Sequence, residues 1–384
     1  MAESNPASTC SSAPGVIREQ KRREAEAERV LQRQQAVNRA RKNLKEVEAE
    51  LSTQNAMTQE ELSAALAKIK RGNQTSHLDL RALKQALHDP KNSVAFLRTT
   101  GSLQAVVGHL TGRKALHQLE AAYICCNLAV GDEYHCETVA NAAGPYLMEF
   151  LESQNTALQV ACIWTLGNLA GGSAKSFRTL QSQGFVDRLT NCLKSPHEDV
   201  IEAATYALCL VLKNSSYNLP LEDRLKLASI AVQLKCCREN VDWLIYMLSC
   251  KADCDEILIG NMVPLRCVDF LTTFSRDSPM EVDDLSKLRS VTASLRTISN
   301  LCSEGSGKAA LTVITHSSFP MVLNDLLHAR HPHLRLESEW LGRNILSHSF
   351  NEITAIARSV KLDVVFSAKD HSHIQIHQLL KGGI

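Results

Sequence analysis

Residues 158–173 read LQVACIWTLGNLAGGS, and the reading of this run decides the fold. Turned at about 100° per residue, Leu158, Cys162, Thr165, Leu166 and Leu169 fall on one side of a helix. Trp164 and Asn168 stand four residues apart, so they project together, about a quarter turn from that apolar stripe. An indole beside a carboxamide suits an extended peptide, because the amide bonds a backbone while the ring covers an aliphatic side-chain stem. Taken once, the pair reads more simply as a tryptophan packed on a neighbouring helix and an asparagine capping the helix end. Recurrence decides between the two.

The pair recurs. Gly101, Gly144 and Gly184 stand 43 and 40 residues apart, and each precedes an apolar-periodic helix: SLQAVVGHL, PYLMEFL and FVDRLTNCL. A glycine at such a junction supplies the left-handed backbone that turns the chain sharply. A second helix follows in each unit, LEAAYICCNLA, LQVACIWTLGNLA and VIEAATYALCLVL, which brings the aromatic-plus-four register back as Tyr123/Asn127, Trp164/Asn168 and Tyr206/Leu210. It continues less cleanly as Trp243/Met247, Arg296/Asn300 and Trp340/Asn344. A period near 40 residues belongs to helical repeat arrays of the armadillo or HEAT kind. The long interval before Arg296 holds SRDSPMEVDDLSK (275–287), an acidic insertion expected between two helices.

Composition agrees with an all-α chain. Of 384 residues only 10 are proline and 17 glycine, 44% are hydrophobic, and the formal net charge is +1, so no global nucleic-acid-binding charge exists. No uninterrupted apolar run reaches the roughly 18 residues of a membrane span. The first residues, MAESNPASTCSSAPG, lack the apolar core of a signal peptide. Thirteen cysteines, scattered through helical segments, read as small core residues in a reducing, cytosolic compartment.

The expected organisation is a polar N-terminus at 1–16, a charged helix or short coiled coil at 17–54, a short helix and linker at 55–75, repeats over 76–350 and a helical end at 351–384. In the charged helix Val30, Val37, Leu44 and Leu51 recur every seven residues. Thr58 and Glu61 form a capping box that opens a helix running to Lys70 and closed by Gly72. His88-Asp89-Pro90 marks a turn.

Catalytic and cofactor chemistry is not expected. Gly305-Ser-Gly-Lys308 lacks both the leading glycine and the hydroxyl residue of a phosphate loop. His331, His333, His371, His373 and His377 have no cysteine partners at zinc spacing. No nucleophile elbow is present, and a solenoid offers a groove rather than a closed pocket.

The unit at 161–170, ACIWTLGNLA, with the glycine-led helices around it, resembles the armadillo repeats of the importin-α family. So do EAAYICCN at 120–127 and EWLGRN at 339–344. The likeness runs from about Ile17 to Asn344 and is strongest between Leu80 and Leu212. It implies a right-handed armadillo-repeat α-solenoid of six or seven units whose third helices line a concave groove. It further implies that the groove binds extended basic peptides of the nuclear localisation type, asparagines holding the peptide backbone and tryptophans sandwiching lysine and arginine stems. On this sequence those roles fall to Trp164 and Asn168, with Tyr123, Asn127, Tyr206, Trp340 and Asn344, and with Glu120 facing a basic side chain. Arg22, Arg23, Arg41 and Lys42 correspond to a segment that contacts an importin-β-like receptor. Two departures limit the ladder: Leu210 and Met247 cannot hold a peptide amide, and Arg296 in an aromatic position is expected to repel a basic cargo. The alternative is an armadillo scaffold that binds a non-basic protein partner, with association of the chain itself with a membrane left open.

Overall fold

The computed structural model describes residues 57–72, 74–213, 219–234, 239–277, 285–346, 348 and 351–359. The charged helix at 17–54, with Arg22, Arg23, Arg41 and Lys42, and the histidines beyond 360 lie outside the described residues, as does the acidic centre of the insertion, 278–284. Nineteen α-helices and two short 3-10 turns make up the described secondary structure, and no strand occurs among the described residues.

Local chemistry sets the first helices. Thr58 and Glu61 close a reciprocal capping box at the start of α1 (Gln59–Lys70), and Ser76 and Asp79 close another at α2 (His77–Ala86). Asp89 caps α3 (Pro90–Arg98), whose first residue is proline, where a missing N–H costs nothing. Leu62, Leu66 and Ile69 of α1 are buried, so the packed body begins at this helix and not at residue 76.

From there the chain repeats a three-helix unit. α3, α4 (Ser102–Leu110) and α5 (Ala115–Leu128) form one unit; α8 (Ala174–Gln181), α9 (Phe185–Cys192) and α10 (Glu198–Lys213) form another. Between them stand α6 (Glu133–Glu149) and α7 (Thr156–Gly172). Beyond come α11 (Leu221–Ala231) with α12 (Glu239–Ser249), then α13 (Asp255–Gly260), α14 (Val263–Asp277) and α15 (Leu285–Leu301). The last full unit is α16 (Lys308–Ile314), α17 (Phe319–Leu327) and α18 (Pro332–Leu346), followed by α19 (Asn351–Ser359). Each unit leaves an apolar face that only the next unit covers, which gives one continuous core from Leu62 to Ile353. The fold is an all-α armadillo-like solenoid.

The helices that end each unit stack directly on one another in the order α2, α5, α7, α10, α12, α15, α18. This row is the most tightly packed in the molecule, with α7 against α10 the most extensive contact of all, and in a curved stack the tight row is the inner one. Its closeness has a cause at Gly167, where an added Cβ would lie 2.8 Å from Ala207 Cβ and 3.0 Å from Ala207 Cα. Thr165 Oγ1 stitches the previous interface, donating to Ala161 O at 2.7 Å in its own helix and reaching Ala122 O of α5 at 3.2 Å.

The expected glycine junctions hold at Gly101 and Gly184, which take φ of 79° and 81° immediately before α4 and α9. Gly144 is not a junction. α6 runs unbroken through Gly144 and Pro145, because the residues on either side, Ala140, Ala143, Leu147 and Met148, are buried in one core that outweighs the lost proline N–H. Gly144 instead admits α8, since a Cβ there would stand 3.2 Å from Leu180 Cδ2. In the sixth unit the left-handed position before α14 is held by Met262, at φ 59°, with Gly260 closing the preceding helix.

All ten described cysteines are free thiols, and eight are buried. Burial pushes the thiols of Cys125, Cys209 and Cys254 up to about 12, which makes them apolar packing groups rather than nucleophiles. Among the described residues no group of three or more His, Cys, Asp or Glu side chains is placed to hold a metal, and no single helix is long and apolar enough to cross a membrane.

Candidate functional site

The stacked inner helices bring the aromatic-plus-four positions into one ladder, and the geometry differs from rung to rung. At α7 the apolar stripe of Leu158, Cys162, Thr165, Leu166 and Leu169 is buried as the periodicity requires, and Trp164 is half-buried. Its indole stacks on the Tyr206 ring of α10, centroids 5.1 Å apart and planes 22° from parallel. Glu202 and Asp199 lie four and seven residues before Tyr206, on the same face of α10. Both are exposed.

Asn168 does not stand beside Trp164 on an open face, as the spacing suggested. It is 2% exposed, its Nδ2 points to Cys126 Sγ of α5 at 3.5 Å, and its Oδ1 is buried without a hydrogen-bond partner. The same orientation recurs along the row. Asn127 Nδ2 donates to Lys84 O at 2.9 Å, Asn300 Nδ2 to Ser249 Oγ at 3.0 Å, and Asn344 Nδ2 to Ser299 O at 2.6 Å. Each partner lies in the last turn of the preceding inner helix, where carbonyls have no intrahelical donor. The asparagines are therefore staples between repeats.

The outer rungs carry cations. Lys84 of α2 sits with Nζ 5.0 Å from the centroid of the Tyr123 ring and 3.4 Å from Glu120 Oε2, the two side chains being only 18% and 14% exposed. Glu120 thus faces a basic side chain as expected, but one from this chain. At the other end Arg296 of α15 lies over Trp243 and Tyr246 of α12, its guanidinium carbon 5.8 and 5.7 Å from the two centroids. The same guanidinium donates from Nε to Glu337 Oε1 of α18 at 2.7 Å. Arg296 does not merely occupy an aromatic position; it fills the space over the aromatic rings of the preceding rung. Burial first, and then the charges of His331 and Arg296, hold the His333 imidazole of α18 below its ordinary pKa. Trp340, one turn before Asn344, is half-buried in the same helix.

Leu210 and Met247, which replace the asparagine in two rungs, are buried at 3% and 2%, and Leu210 packs over Gly171. Lys84 escaped the sequence reading, although its position 39 residues before Tyr123 marks it as the first unit's counterpart of the aromatic.

The chain has the architecture of an armadillo-repeat solenoid with an inner ladder of aromatic and amide side chains. Importin subunit alpha-9 of Arabidopsis thaliana is 25% identical over 246 residues, which cover 60% of this chain and 45% of the relative. The chain thus spans under half the length of that curated relative. No protein-family model matches. Among solved structures, an engineered protein of the Northeast Structural Genomics Consortium superposes at a TM-score of 0.61, with 17% identity, over 75% of this chain and 69% of its own. A second engineered protein from the same source reaches 0.52 with 18% identity, over 64% of this chain and 96% of its own. These superpositions show the fold.

Proposed function

We propose that this chain is a non-catalytic adaptor that grips an extended basic segment of a partner protein along its inner row, in the manner of importin-α, and serves protein import into the nucleus. One observation carries the reading: the half-buried Trp164–Tyr206 stack, bordered by exposed Glu202 and Asp199 on the same face of α10. An aromatic wall covers the aliphatic stem of a lysine or arginine, and the carboxylates meet its charged head. Asn168 contributes as a spacer that fixes α7 on α5 rather than as a donor to the peptide. Arg22, Arg23, Arg41 and Lys42 would serve an importin-β-like receptor, and the working protein would then act in cytoplasm and nucleus. Within the importin-α-like proteins, the runs at 80–119, 165–169, 195–197 and 206–208 resemble transmembrane and coiled-coil domain-containing protein 6.

The test is a fluorescence-anisotropy titration with a labelled ten-residue peptide alternating Lys or Arg with neutral residues, against wild type and Trp164→Ala. Removal of the indole is expected to weaken binding about tenfold or more, the scale of a desolvated cation–π contact together with its buried area. Equal affinity of the two proteins, or none in either, refutes the reading. Tight capture of an acidic or neutral peptide instead would identify a scaffold for another partner.

A further inference from the structure

At the first unit the edge of the stack, where the inner helices begin, differs from its neighbours. His77 lies within electrostatic reach of His117, while Lys84 meets Glu120 and Tyr123, so α2 and α5 run parallel with their N-terminal ends level. The second residue of each helix is a leucine, Leu78 and Leu116, and the two therefore stand side by side. Both helix starts invert the usual order of burial. Leu78 and Leu116 are 59% and 57% exposed, whereas His117 is buried and His77 half-buried. Two adjacent aliphatic side chains held in water beside buried imidazoles stabilise nothing in the isolated chain. An apolar phase brought to this edge would take both out of water.

Charge identifies that phase. The runs leading into the two helices, KRGNQTSHL at 70–78 and GHLTGRKALHQL at 108–119, contain no carboxylate. They supply Arg71, Arg113 and Lys114, all exposed, and Arg81 stands one turn beyond Leu78 on the exposed side of α2. Among the described residues none of these four cations forms an ion pair, and Asp79, the first acid of α2, is bonded to Lys68. The starts of α7 and α10, by contrast, carry exposed carboxylates, Glu152 before one and Glu198 and Asp199 in the other. We propose that the edge at the start of α2 and α5 seats the solenoid on an anionic lipid surface, with Leu78 and Leu116 entering the headgroup–acyl boundary and Arg71, Arg81, Arg113 and Lys114 meeting the lipid phosphates. Helix ends and loops form a rim rather than a groove, and a rim is what a flat bilayer accepts. A nucleic acid would use the cations but has no place for the leucines, and neither run offers a Phe, Tyr or Trp on which a base could stack. The contact lies away from the α7–α10 rung and is independent of the peptide reading.

Co-sedimentation of the full chain with vesicles tests this, using phosphatidylcholine alone and phosphatidylcholine with about 30% phosphatidylserine. Wild type is expected to be half-bound at about 0.1–1 mM lipid on the anionic vesicles and about tenfold or more weaker on the neutral ones. Arg113→Glu/Lys114→Glu should weaken binding to the anionic vesicles about thirtyfold or more, the effect of removing two cations from the surface potential. Leu78→Ser/Leu116→Ser should weaken it about fivefold or more through lost apolar burial. All four side chains are exposed, so the helical circular dichroism of both variants should match wild type. Equal binding to the two vesicle types, or to neither, overturns the proposal. Binding that persists undiminished in both variants would belong to basic residues elsewhere in the chain and overturns it equally. Loss in the charge variant with none in the leucine variant also overturns it, because such a contact serves any polyanion; a labelled RNA duplex bound alike by wild type and the leucine variant would then identify the partner as nucleic acid.

Discussion

Replacing Gly167 with alanine tests the geometry of the ladder, because the same substitution at Gly108 should act in the opposite direction. The new Cβ at position 167 would lie 2.8 Å from Ala207 Cβ and 3.0 Å from Ala207 Cα, where carbon atoms normally stay about 3.5–4.0 Å apart. The obstacle is a backbone carbon and the atom bonded to it, so no rotamer change relieves it. α7 and α10 must separate by about 0.7–1 Å, in an interior packed to crystal density. Overpacking of this kind costs about 1–3 kcal/mol, and the preference of a helix interior for alanine over glycine offsets about 0.5–1 kcal/mol of that. At Gly108, inside α4, nothing lies within 4 Å of the added atom, so only the favourable part remains. Thermal unfolding followed by circular dichroism should show Gly167→Ala about 2–6 °C below wild type and Gly108→Ala about 1–3 °C above it, taking a cooperative block of 150–250 residues. Gly167→Ala should also disturb the Trp164–Tyr206 stack, one helical turn away. Equal melting shifts of one sign for the two variants would refute the close approach of α7 and α10.

Met262 holds a left-handed conformation that costs a residue with a Cβ about 1–2 kcal/mol, so Met262→Gly should raise stability by about 0.5–1 kcal/mol after the entropy of glycine is counted; a lower melting temperature would contradict this. Asp79 predicts a pH effect. Its bonds to Lys68, and then to the Ser76 backbone N–H, lower its pKa from 3.8 to about 2. A depressed carboxylate stabilises the fold above its ordinary pKa and loses that contribution as pH falls from about 4 towards 2. Because the Lys68–Asp79 pair is substantially exposed, the contribution is at most about 1 kcal/mol. Asp79→Asn should therefore destabilise at neutral pH and flatten the acid limb of a melting profile, and an unchanged slope between pH 4 and 2 would count against it.

The fold was legible in the sequence because two periods are superimposed, one of a helical turn and one of about 40 residues. The stripe through Leu158, Cys162, Leu166 and Leu169 identifies a buried helix face directly, and its recurrence identifies the array. Capping chemistry at Thr58 and Glu61 is equally local and fixed the start of α1. Gly144 misled because a Gly-Pro pair normally ends a helix, and only the burial of both flanks keeps α6 continuous. Asn168 misled for a different reason. Four-residue spacing places it on the same side as Trp164, but whether that side faces solvent depends on how α5 packs against α7, a contact between repeats that spacing within one helix does not encode. The cations on the aromatic faces are contacts between repeats, 39 residues apart for Lys84 and Tyr123 and 53 for Trp243 and Arg296, and no periodicity within one helix encodes them.

The central claim is that a basic segment is held at the α7–α10 rung by carboxylates on an aromatic wall. Its most direct test is charge reversal of those carboxylates, Asp199→Lys/Glu202→Lys. Both side chains are exposed, so the fold should be unaffected, and the melting temperature should fall by no more than about 2–4 °C, the cost of a cation in the first turn of α10. Anisotropy titrations with the alternating Lys/Arg peptide should then show affinity falling about tenfold or more at low salt, with the gap between wild type and variant narrowing as ionic strength rises and screening removes the Coulomb contribution. Undiminished binding of the basic peptide by the reversed protein would contradict the account.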